Sequence, residues 1–302
     1  GCPKFAGRVI RGLDNRRQSP LWLRERLRRV GLRSISPLVD VTNYVMHELG
    51  QPMHAYDLAK LRGTIRARWA ARDEKATLLD GRTVDLQPDV LVIADDEGPV
   101  GVAGIMGGER TAVSEATTDL FLESAFFSPD TIRGRGRRWG LMTDASQRFE
   151  RGVDPAHQER AVERATALLL EIAGGKPGPV KVVQSAEHLP QRSKVSLRRS
   201  QLARLLGTTI EPNRVTQTLS TLQMQLAETP AGWSAIPPSH RFDIAIEPDL
   251  IEEVARIVGF EAIPEADAPV AQLFGELPEE RATEVRVLDL LAKLAKEEPE
   301  KY

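Results

Sequence analysis

Short apolar runs separated by tight turns, and interrupted by helical stretches at irregular intervals, most limit how this chain can fold. Strand-like runs are predicted at 38–41, 65–69, 90–94 and 100–105. Asp80-Gly81 is a hairpin signal between two further short runs, 76–78 and 83–85. Because the strands and helices do not alternate as in βαβ units, and because tight turns join antiparallel strands, the pattern predicts an α+β fold with a mixed sheet.

Composition narrows the class of protein. The 302 residues are long enough for two domains, and the 41% hydrophobic content supports a packed core. No apolar run is long enough to predict a membrane span, and the first residues do not resemble a signal peptide. A single cysteine, Cys2, excludes an internal disulfide framework and a cysteine zinc site, so a reducing cytoplasm is expected.

Charge is distributed unevenly along the chain. Residues 1–40 carry ten Lys or Arg against three Asp or Glu, whereas residues 241–302 carry seven against sixteen. The basic beginning suits a phosphate-bearing partner, and the acidic end suits a cation or a basic protein surface. Solvated helix faces are the alternative explanation for both.

Helical periodicity and turn residues predict three parts. The first part, 1–189, contains amphipathic helices after Pro20 and over 157–173. The second, 190–265, is a small α+β (winged-helix-like) module with a strand, a helix capped by Ser200, a second helix over 212–222, a strand over 233–236 and a third helix. The third, 266–302, is predicted to be a linker and a charged, truncated helical tail.

Isolated polar residues within apolar stretches indicate a binding pocket. Thr42, Asn43, His47 and His54 lie around a Gly-Gln-Pro turn with few charges between them. Two later segments, 104–109 and 121–127, show the same mixture. This pattern favours recognition of a small polar molecule over a metal cage or a covalent nucleophile.

Glu123 is the strongest candidate within these segments. It is a carboxylate in an otherwise apolar run, and a buried carboxylate without a partner costs several kcal/mol. It is therefore predicted to accept a hydrogen bond from a ligand. The alternative is a core glutamate paired with a nearby arginine such as Arg138.

Other residues are candidates for holding the ligand. His54 follows a turn that can direct a side chain into a cleft. Thr42 and Asn43 suit the polar atoms of an amino acid or a nucleoside, with a helix cap for the segment that follows as the alternative. Gly107 and Gly108 allow close approach to the backbone, although a hairpin would need them equally.

A basic loop and the residues after it complete the predicted site. Thr143 and Ala145 are small enough to leave room for an aromatic ring. The arginines of the loop are predicted to contact RNA phosphates, and packing against acidic residues is the alternative. Those arginines are Arg133, Arg135, Arg137 and Arg138, with Arg33 as a weaker candidate of the same kind.

Six segments, in this order, resemble the family of bacterial phenylalanyl-tRNA synthetase beta subunits. The resemblance covers about residues 1–265 and implies a B3/B4 editing domain followed by a B5 domain, within an internal fragment of a longer subunit. The segments are VDVTNYVMHELGQPMHAYD (39–57), LLDG (78–81), GIMGGE (104–109), LESAFFSP (122–129), RGRRWGLMTDASQRFERGVDP (135–155) and RFDIAIEPDLIEEVARIVGF (241–260).

The resemblance implies hydrolysis of mischarged tyrosyl-tRNA(Phe). In that family the glutamate matching Glu123 recognises the tyrosine hydroxyl, and His54 is expected to orient the hydrolytic water or the terminal ribose. The expected partners are tRNA(Phe) and an alpha subunit, in a cytoplasmic alpha2beta2 enzyme that as a whole binds ATP and ligates phenylalanine to tRNA. No membrane or DNA partner is expected.

The resemblance also implies a magnesium site in the second module, where carboxylate oxygens suit a hard cation. Its expected ligands are Asp243, Asp249, Glu252 and Glu253, and the site is expected to be weak or incomplete without the alpha subunit. The alternative is an acidic helix start favoured by the helix dipole. Editing hydrolysis itself is expected to need no cofactor.

A different class of function stays open at this point. The chain is alternatively a non-catalytic assembly fragment that binds tRNA or the alpha subunit. Salt-sensitive tRNA affinity without hydrolysis would favour that interpretation.

Overall fold

The computed structural model describes residues 1–265 and 279–297. Its compact units are Gly1–Phe260 and Glu261–Tyr302. Most of the predicted linker and the last five residues lie outside the described residues. In chain order the strands are β1 (Lys4–Arg11), β2 (Met53–Asp57), β3 (Arg66–Trp69), β4 (Lys75–Thr77), β5 (Thr83–Asp85), β6 (Leu91–Ala94), β7 (Pro99–Val102), β8 (Met106–Gly107), β9 (Leu120–Phe126), β10 (Lys176–Pro177), β11 (Lys181–Gln184), β12 (Val195–Arg198), β13 (Gln225–Thr229) and β14 (Gly232–Ile236).

Nine α-helices are present among the described residues. They are α1 (Leu21–Arg29), α2 (Pro37–Leu49), α3 (Pro129–Ile132), α4 (Asp144–Arg151), α5 (Gln158–Ala173), α6 (Arg199–Leu206), α7 (Pro212–Thr221), α8 (Glu247–Val258) and α9 (Glu279–Glu297). The predicted α+β class is confirmed. All strand pairings among the described residues are antiparallel, where the sequence had indicated a mixed sheet.

The first sheet carries the strands from which the site is built. Its order is β10-β1-β9-β2, with β11 also paired to β1. Since side chains alternate along a strand, β9 presents two different faces. Leu120 and Leu122 pack against α1, α2 and α5 in one core cluster. Ala125, on the opposite face with Glu123, belongs to a second cluster, which also contains Tyr56.

A second sheet covers that opposite face. Its strand order is β3-β6-β7-β8, and the β4-β5 hairpin lies beside it. Val92, Ile93, Val100 and Val102 from β6 and β7 are buried in the same cluster as Ala125. The first sheet therefore has helices on one face and a second layer of strands on the other.

The second module forms around its own apolar cluster. Strands β12, β14 and β13 pair in that order, and α6, α7 and α8 pack against them. Trp233 is 1% exposed at the centre of this cluster, and its indole nitrogen donates to Thr216 Oγ1 at 2.8 Å. The division into 1–189 and 190–265 stays a prediction, although the apolar cluster of the second module comprises only residues 195–258.

Three local predictions were wrong. The strand predicted at 100–105 ends at Val102, and a turn over 103–105 separates β7 from β8. Residues 38–41 are helical, because Pro37 occupies the first turn of α2 and Ser36 precedes it as the N-cap. Thr42 and Asn43 therefore lie inside a helix, which removes the alternative that they cap one. Arg198, rather than Ser200, is the N-cap residue of α6.

Helix α9 belongs to the second compact unit and agrees with the predicted helical tail over its described length. Its apolar side chains Val285, Leu288 and Leu291 are exposed. Across the described residues, no helix combines the length and hydropathy needed to cross a membrane.

Candidate functional site

A cavity of about 200 Å³ lies between the two sheets of the first module, which is the part of the chain over residues 1–189. Apolar side chains and glycines form most of its wall, and His54, Tyr56 and Glu123 are its polar side chains. The described residues that line it include no Ser, Thr, Cys or Lys. The lining residues are Pro52, Met53, His54, Tyr56, Leu79, Ile93, Gly101, Val102, Ala103, Gly104, Ile105, Met106, Gly107, Glu123, Phe127, Ala145 and Phe149.

The register of the first sheet brings the polar groups together. His54 on β2 is directly opposite Glu123 on β9, and Tyr56 is opposite Phe121. Directly opposed side chains point to the same face, as do residues two apart on one strand. The imidazole, the phenol and the carboxylate therefore share the face that the second sheet covers.

Glu123 is buried without a cationic partner. Its Oε2 accepts a hydrogen bond from the Tyr56 hydroxyl at 2.5 Å, and no described Arg or Lys forms a salt bridge with it. Burial raises the pKa of Glu123 from its ordinary value to about 7, and the hydrogen bond from Tyr56 partly opposes that rise. The expected alternative, a pair with Arg138, is wrong, because Arg138 binds Asp89 through two nitrogens at 2.6 Å each.

His54 is a neutral imidazole at physiological pH. Burial lowers the pKa of His54 to about 4, because removal from water disfavours the charged form of the ring. Its Nε2 is buried and has no hydrogen-bond partner among the described residues. The ring contacts that of Tyr56 edge to face, with centroids 4.4 Å apart. A buried orphaned nitrogen facing a cavity is a group available to a ligand or a water.

Gly107 is required by close packing against His54. A Cβ at residue 107 would lie 2.2 Å from His54 Cε1 and 2.5 Å from Nε2. Gly108 does not line the cavity, and its role is local, since its N–H donates to Val100 O at 2.8 Å and a Cβ would approach that oxygen just as closely. Gly107 therefore allows β8 to pack closely against the imidazole, whereas Gly108 allows close packing against the backbone of β7.

Ala145 lines the cavity, whereas Thr143 does not line it but bonds to residues that do or that adjoin it. Thr143 is the N-cap of α4, and its Oγ1 accepts from Ser146 N at 3.0 Å. The same hydroxyl donates to the backbone oxygen of Ile105 at 2.8 Å. Thr143 thus ties the start of α4, including Ala145, to the cavity wall at Ile105.

Three further predicted binding residues, in addition to Gly108 and Thr143, do not line the cavity. Thr42 is buried in α2, where its hydroxyl donates to Val39 O at 2.9 Å. Asn43 is half-buried on the same helix, and Arg33 is exposed in the segment between α1 and α2. Their assignment to the amino-acid or phosphate contact stays a prediction without support from this geometry.

The basic loop is paired with acidic residues, as the alternative interpretation had allowed. Arg135 and Arg138 both contact Asp89, and Arg133 contacts Asp130. Arg137 reaches Glu150 at 3.7 Å and is largely exposed. The distant partner Asp89 is one that sequence spacing does not reveal.

The four carboxylates expected to bind magnesium are engaged separately. Glu253 and Asp243 both accept hydrogen bonds from Arg241. Asp249 Oδ2 accepts from the N–H groups of Ala245 and Ile246 at 2.8 and 2.9 Å, which makes it a cap for the start of α8. Glu252 is exposed.

These engagements do not form a metal site. Among the described residues, no group of three or more His, Cys, Asp or Glu is placed to hold a metal. Asp243 and Glu253 are paired with arginine, Asp249 caps a helix, and the exposed Glu252 is not grouped with them, so the expected ligand set does not fit a magnesium ion in the described part of the chain.

Tyr56 is the site residue that sequence reasoning missed. It lies two positions after His54 on what proved to be a strand, and that spacing was the available signal. A tyrosine in an apolar strand is usually a core residue, and Tyr56 is indeed 2% exposed. Its hydroxyl, however, is what contacts Glu123.

Comparison with known proteins shows the family of the chain. The model of the B3/4 domain matches residues 1–174, and that of the tRNA synthetase B5 domain matches residues 195–260. The phenylalanine–tRNA ligase beta subunit of Methylococcus capsulatus is 53% identical over 291 residues. The chain belongs to the phenylalanine–tRNA ligase beta-subunit family.

Members of this family are longer than the chain. The match covers 96% of the chain and 37% of the Methylococcus capsulatus protein. The beta subunit of Vibrio cholerae is likewise 53% identical, with 36% of its length covered. A solved N-terminal fragment of the Pyrococcus horikoshii phenylalanyl-tRNA synthetase beta subunit aligns over 84% of this chain and 70% of its own, with 13% identity and a TM-score of 0.38.

Proposed function

We propose that the cavity is an editing site that hydrolyses the ester bond of tyrosine mischarged onto tRNA(Phe). The observation that carries this proposal is the buried Glu123 carboxyl group, which faces an otherwise apolar cavity with no cation beside it. Such a group is an acceptor for a phenol hydroxyl. Membership of the phenylalanine–tRNA ligase family supplies the substrate class.

The proposed selectivity follows from differential hydrogen bonding. A pocket built for the phenylalanine ring rejects an added hydroxyl by only about 10²-fold, whereas a pocket that binds the hydroxyl rejects its absence by about 10⁴–10⁵-fold. The apolar wall around Ala145, Phe127 and Phe149 suits the ring, and Glu123 suits its hydroxyl. A site that binds the hydroxyl therefore removes tyrosine that a pocket built for phenylalanine accepts in error.

The proposed chemistry is water attack on an ester that is already labile. Among the described cavity residues no side chain is placed as a serine- or cysteine-type nucleophile, so positioning of a water is the step assigned to the protein. We assign that role, or the positioning of the terminal ribose, to the orphaned Nε2 of His54. The imidazole is neutral, so it can accept a proton in a hydrogen bond from either group.

The remaining assignments concern the longer protein. In this proposal the chain works within a cytoplasmic alpha2beta2 ligase that binds ATP and tRNA(Phe), with an alpha subunit as its partner. Arg137 is the most exposed of the four loop arginines and is the one we favour for an RNA phosphate. Magnesium binding is proposed only for the assembled enzyme, where other groups would have to supply the ligands.

The test is deacylation of preformed Tyr-tRNA(Phe) by this chain, without ATP, beside Phe-tRNA(Phe). The wild-type chain should release tyrosine selectively, and Glu123→Ala should reduce the preference for tyrosine by about 100-fold or more. Unchanged selectivity in Glu123→Ala would defeat the assignment of the acceptor.

Two further variants test the cavity itself. Ala145→Trp should fill it, and Gly107→Ala should displace His54, since the new Cβ has no room beside the imidazole. Gly178→Ala is the control for a glycine substitution outside the cavity, because its Cβ would meet one backbone oxygen at 3.3 Å, which requires a far smaller shift than the contacts at residue 107. Selective tRNA binding without hydrolysis in the folded wild-type chain would support the assembly-fragment alternative.

A further inference from the structure

Tyr56 gives Glu123 two unlike oxygens. The phenol donates its only proton to Oε2 at 2.5 Å, and no described residue donates to Oε1. Glu123 nevertheless lines the cavity, so the second oxygen is the one a ligand can reach. A carboxylate held in this way offers one directed acceptor position.

Strand pairing and ring packing hold the Tyr56 hydroxyl in place beside Glu123. Tyr56 is 2% exposed and stands on the strand next to Glu123. Its ring contacts His54 edge to face at 4.4 Å between centroids and lies 6.2 Å from the ring of Phe121. Both neighbours come from the same pair of strands, β2 and β9. The position of the hydroxyl is therefore set by backbone register.

Apart from the hydrogen bond from Tyr56, no neighbouring group among the described residues stabilises the charged form of Glu123. The titratable groups beside Glu123 are Tyr56 and His54 on β2 and Cys2 just before β1, and none of them is a cation at neutral pH. Burial, and then the Glu123 charge, raise the pKa of Cys2 to about 12, while burial lowers that of His54 to about 4. Gly7, opposite Glu123 on β1, contributes no side chain.

We propose that Tyr56 is a specificity-determining residue, whose phenol holds one oxygen of Glu123 as a carboxylate and presents the other to the hydroxyl of a phenolic aminoacyl group. This inference rests on the proposed function, because it takes the ligand to be a tyrosyl ester. A hydrogen bond to a charged acceptor is about twice as strong as one to a neutral acceptor. The donor on Oε2 thus strengthens discrimination at Oε1.

Removal of the phenol hydroxyl should weaken that discrimination. In Tyr56→Phe the buried carboxyl group loses its donor, so it takes up a proton at higher pH than in the wild type. Near neutral pH it becomes a neutral acid, which accepts a hydrogen bond more weakly. Affinity for a phenylalanyl ligand should not change, because the ring contacts are the same.

The experiment measures binding rather than turnover. The probes are two non-hydrolysable adenosines in which an amide joins tyrosine or phenylalanine to the 3′ position, titrated calorimetrically into the chain between about pH 6 and about pH 9. The variants are Tyr56→Phe, Glu123→Gln and the double variant. Circular dichroism reports whether each is folded.

In the wild type the ratio of tyrosyl to phenylalanyl affinity should rise with a midpoint near pH 7, as Glu123 ionises. In Tyr56→Phe that ratio should fall about tenfold at neutral pH, and its midpoint should move to higher pH. The double variant should discriminate no worse than Glu123→Gln alone, because Tyr56 acts through Glu123.

Several results would overturn the proposal: an unchanged or larger ratio in Tyr56→Phe, an equal loss for both ligands, or no preference in the wild type. Selective binding of the tyrosyl probe by a wild-type chain that hydrolyses nothing would instead contradict only the proposed function. The two failures are therefore distinguishable.

Discussion

The two modules each bury one glutamate, and they treat it in opposite ways. Glu253 in α8 accepts two hydrogen bonds from Arg241, at 3.1 and 2.9 Å, and one from Arg256 at 2.6 Å. These donors hold the pKa of Glu253 below its ordinary value. Glu123 has a phenol as its donor, and burial raises its pKa to about 7.

The difference separates a structural carboxylate from one held ready for a ligand. Arginine pairing satisfies Glu253 within the chain, so it has nothing left to offer a metal or a substrate. Glu123 keeps an unsatisfied oxygen at a cavity wall, which costs stability and is therefore the kind of feature that points to function. Acidic residue type alone does not distinguish the two.

The largest expected effect is on the pH dependence of the free energy of unfolding, to which Glu123 and His54 contribute with opposite signs. The folded pKa of Glu123, about 7, exceeds its ordinary 4.5, so the contribution of this group to stability falls as pH rises through that window. The folded pKa of His54, about 4, is below its ordinary 6.5, so the contribution of His54 rises with pH over nearly the same window. Each change is on the order of 3 kcal/mol, and the two should nearly cancel.

Substitution of either Glu123 or His54 alone should expose the pH-dependent contribution of the other. Glu123→Gln should become more stable as pH rises from about 4.5 to about 6.5, relative to wild type, whereas His54→Gln should become less stable. Urea unfolding at a series of pH values measures both slopes. Parallel curves for the wild type and Glu123→Gln would show that Glu123 is not titrating from a raised pKa.

The next effect tests the arginine pairing in the second module. Arg241→Met should lower the free energy of unfolding of that module by about 2 kcal/mol, less than for a fully orphaned buried charge because Arg256 remains. Chemical denaturation is followed by the fluorescence of buried Trp233, in a background where Trp22, Trp69 and Trp139 are replaced by Phe so that the signal reports on this module.

The double variant Arg241→Met with Glu253→Met is the control, because replacing the whole pair with apolar side chains should restore much of the loss. Asp243→Asn, at an exposed position, should cost less than about 1 kcal/mol. A loss in Asp243→Asn as large as that in Arg241→Met would mean that the buried Glu253 is not what makes Arg241 important.

The smallest expected effect concerns magnesium. Because Asp249 caps α8 and Glu253 is paired with arginines, millimolar Mg²⁺ should raise the free energy of unfolding of this chain by less than about 0.3 kcal/mol. Thermal unfolding with and without the ion is the measurement, and Ca²⁺ is the control for non-specific screening. A saturable, Mg²⁺-specific increase that Asp249→Ala abolishes would show that these carboxylates do bind the ion.

Local sequence patterns predicted much of the fold and part of the site. The Asp80-Gly81 hairpin and the helices α5, α7 and α8 follow from turn residues and periodicity, which act within a few residues. His54, Gly107, Glu123 and Ala145 were predicted to share one cavity, and the structure brings them together there. Their roles in hydrolysis stay predictions.

Two misses arose where contacts join distant parts of the chain, and one arose within a short segment. The pairing of Asp89 with Arg138 spans 49 residues, and no local pattern indicates it. Residues 38–41 read as a strand because their apolar spacing is short enough for either structure, and the proline at 37 decided for a helix. Tyr56 was passed over because only the β2–β9 register shows what its hydroxyl meets.

The alternating faces of β9 also bear on how this domain can change over time. Leu122 packs into the helical core while Glu123, the next residue, lines the cavity. Insertion or deletion of one residue in β9 before Leu122 would exchange the two, placing a carboxylate among the helices and a leucine in the cavity. A substitution in this strand changes one face at a time. A change in its length alters both the helical core and the cavity, so the length of the strand must stay constant.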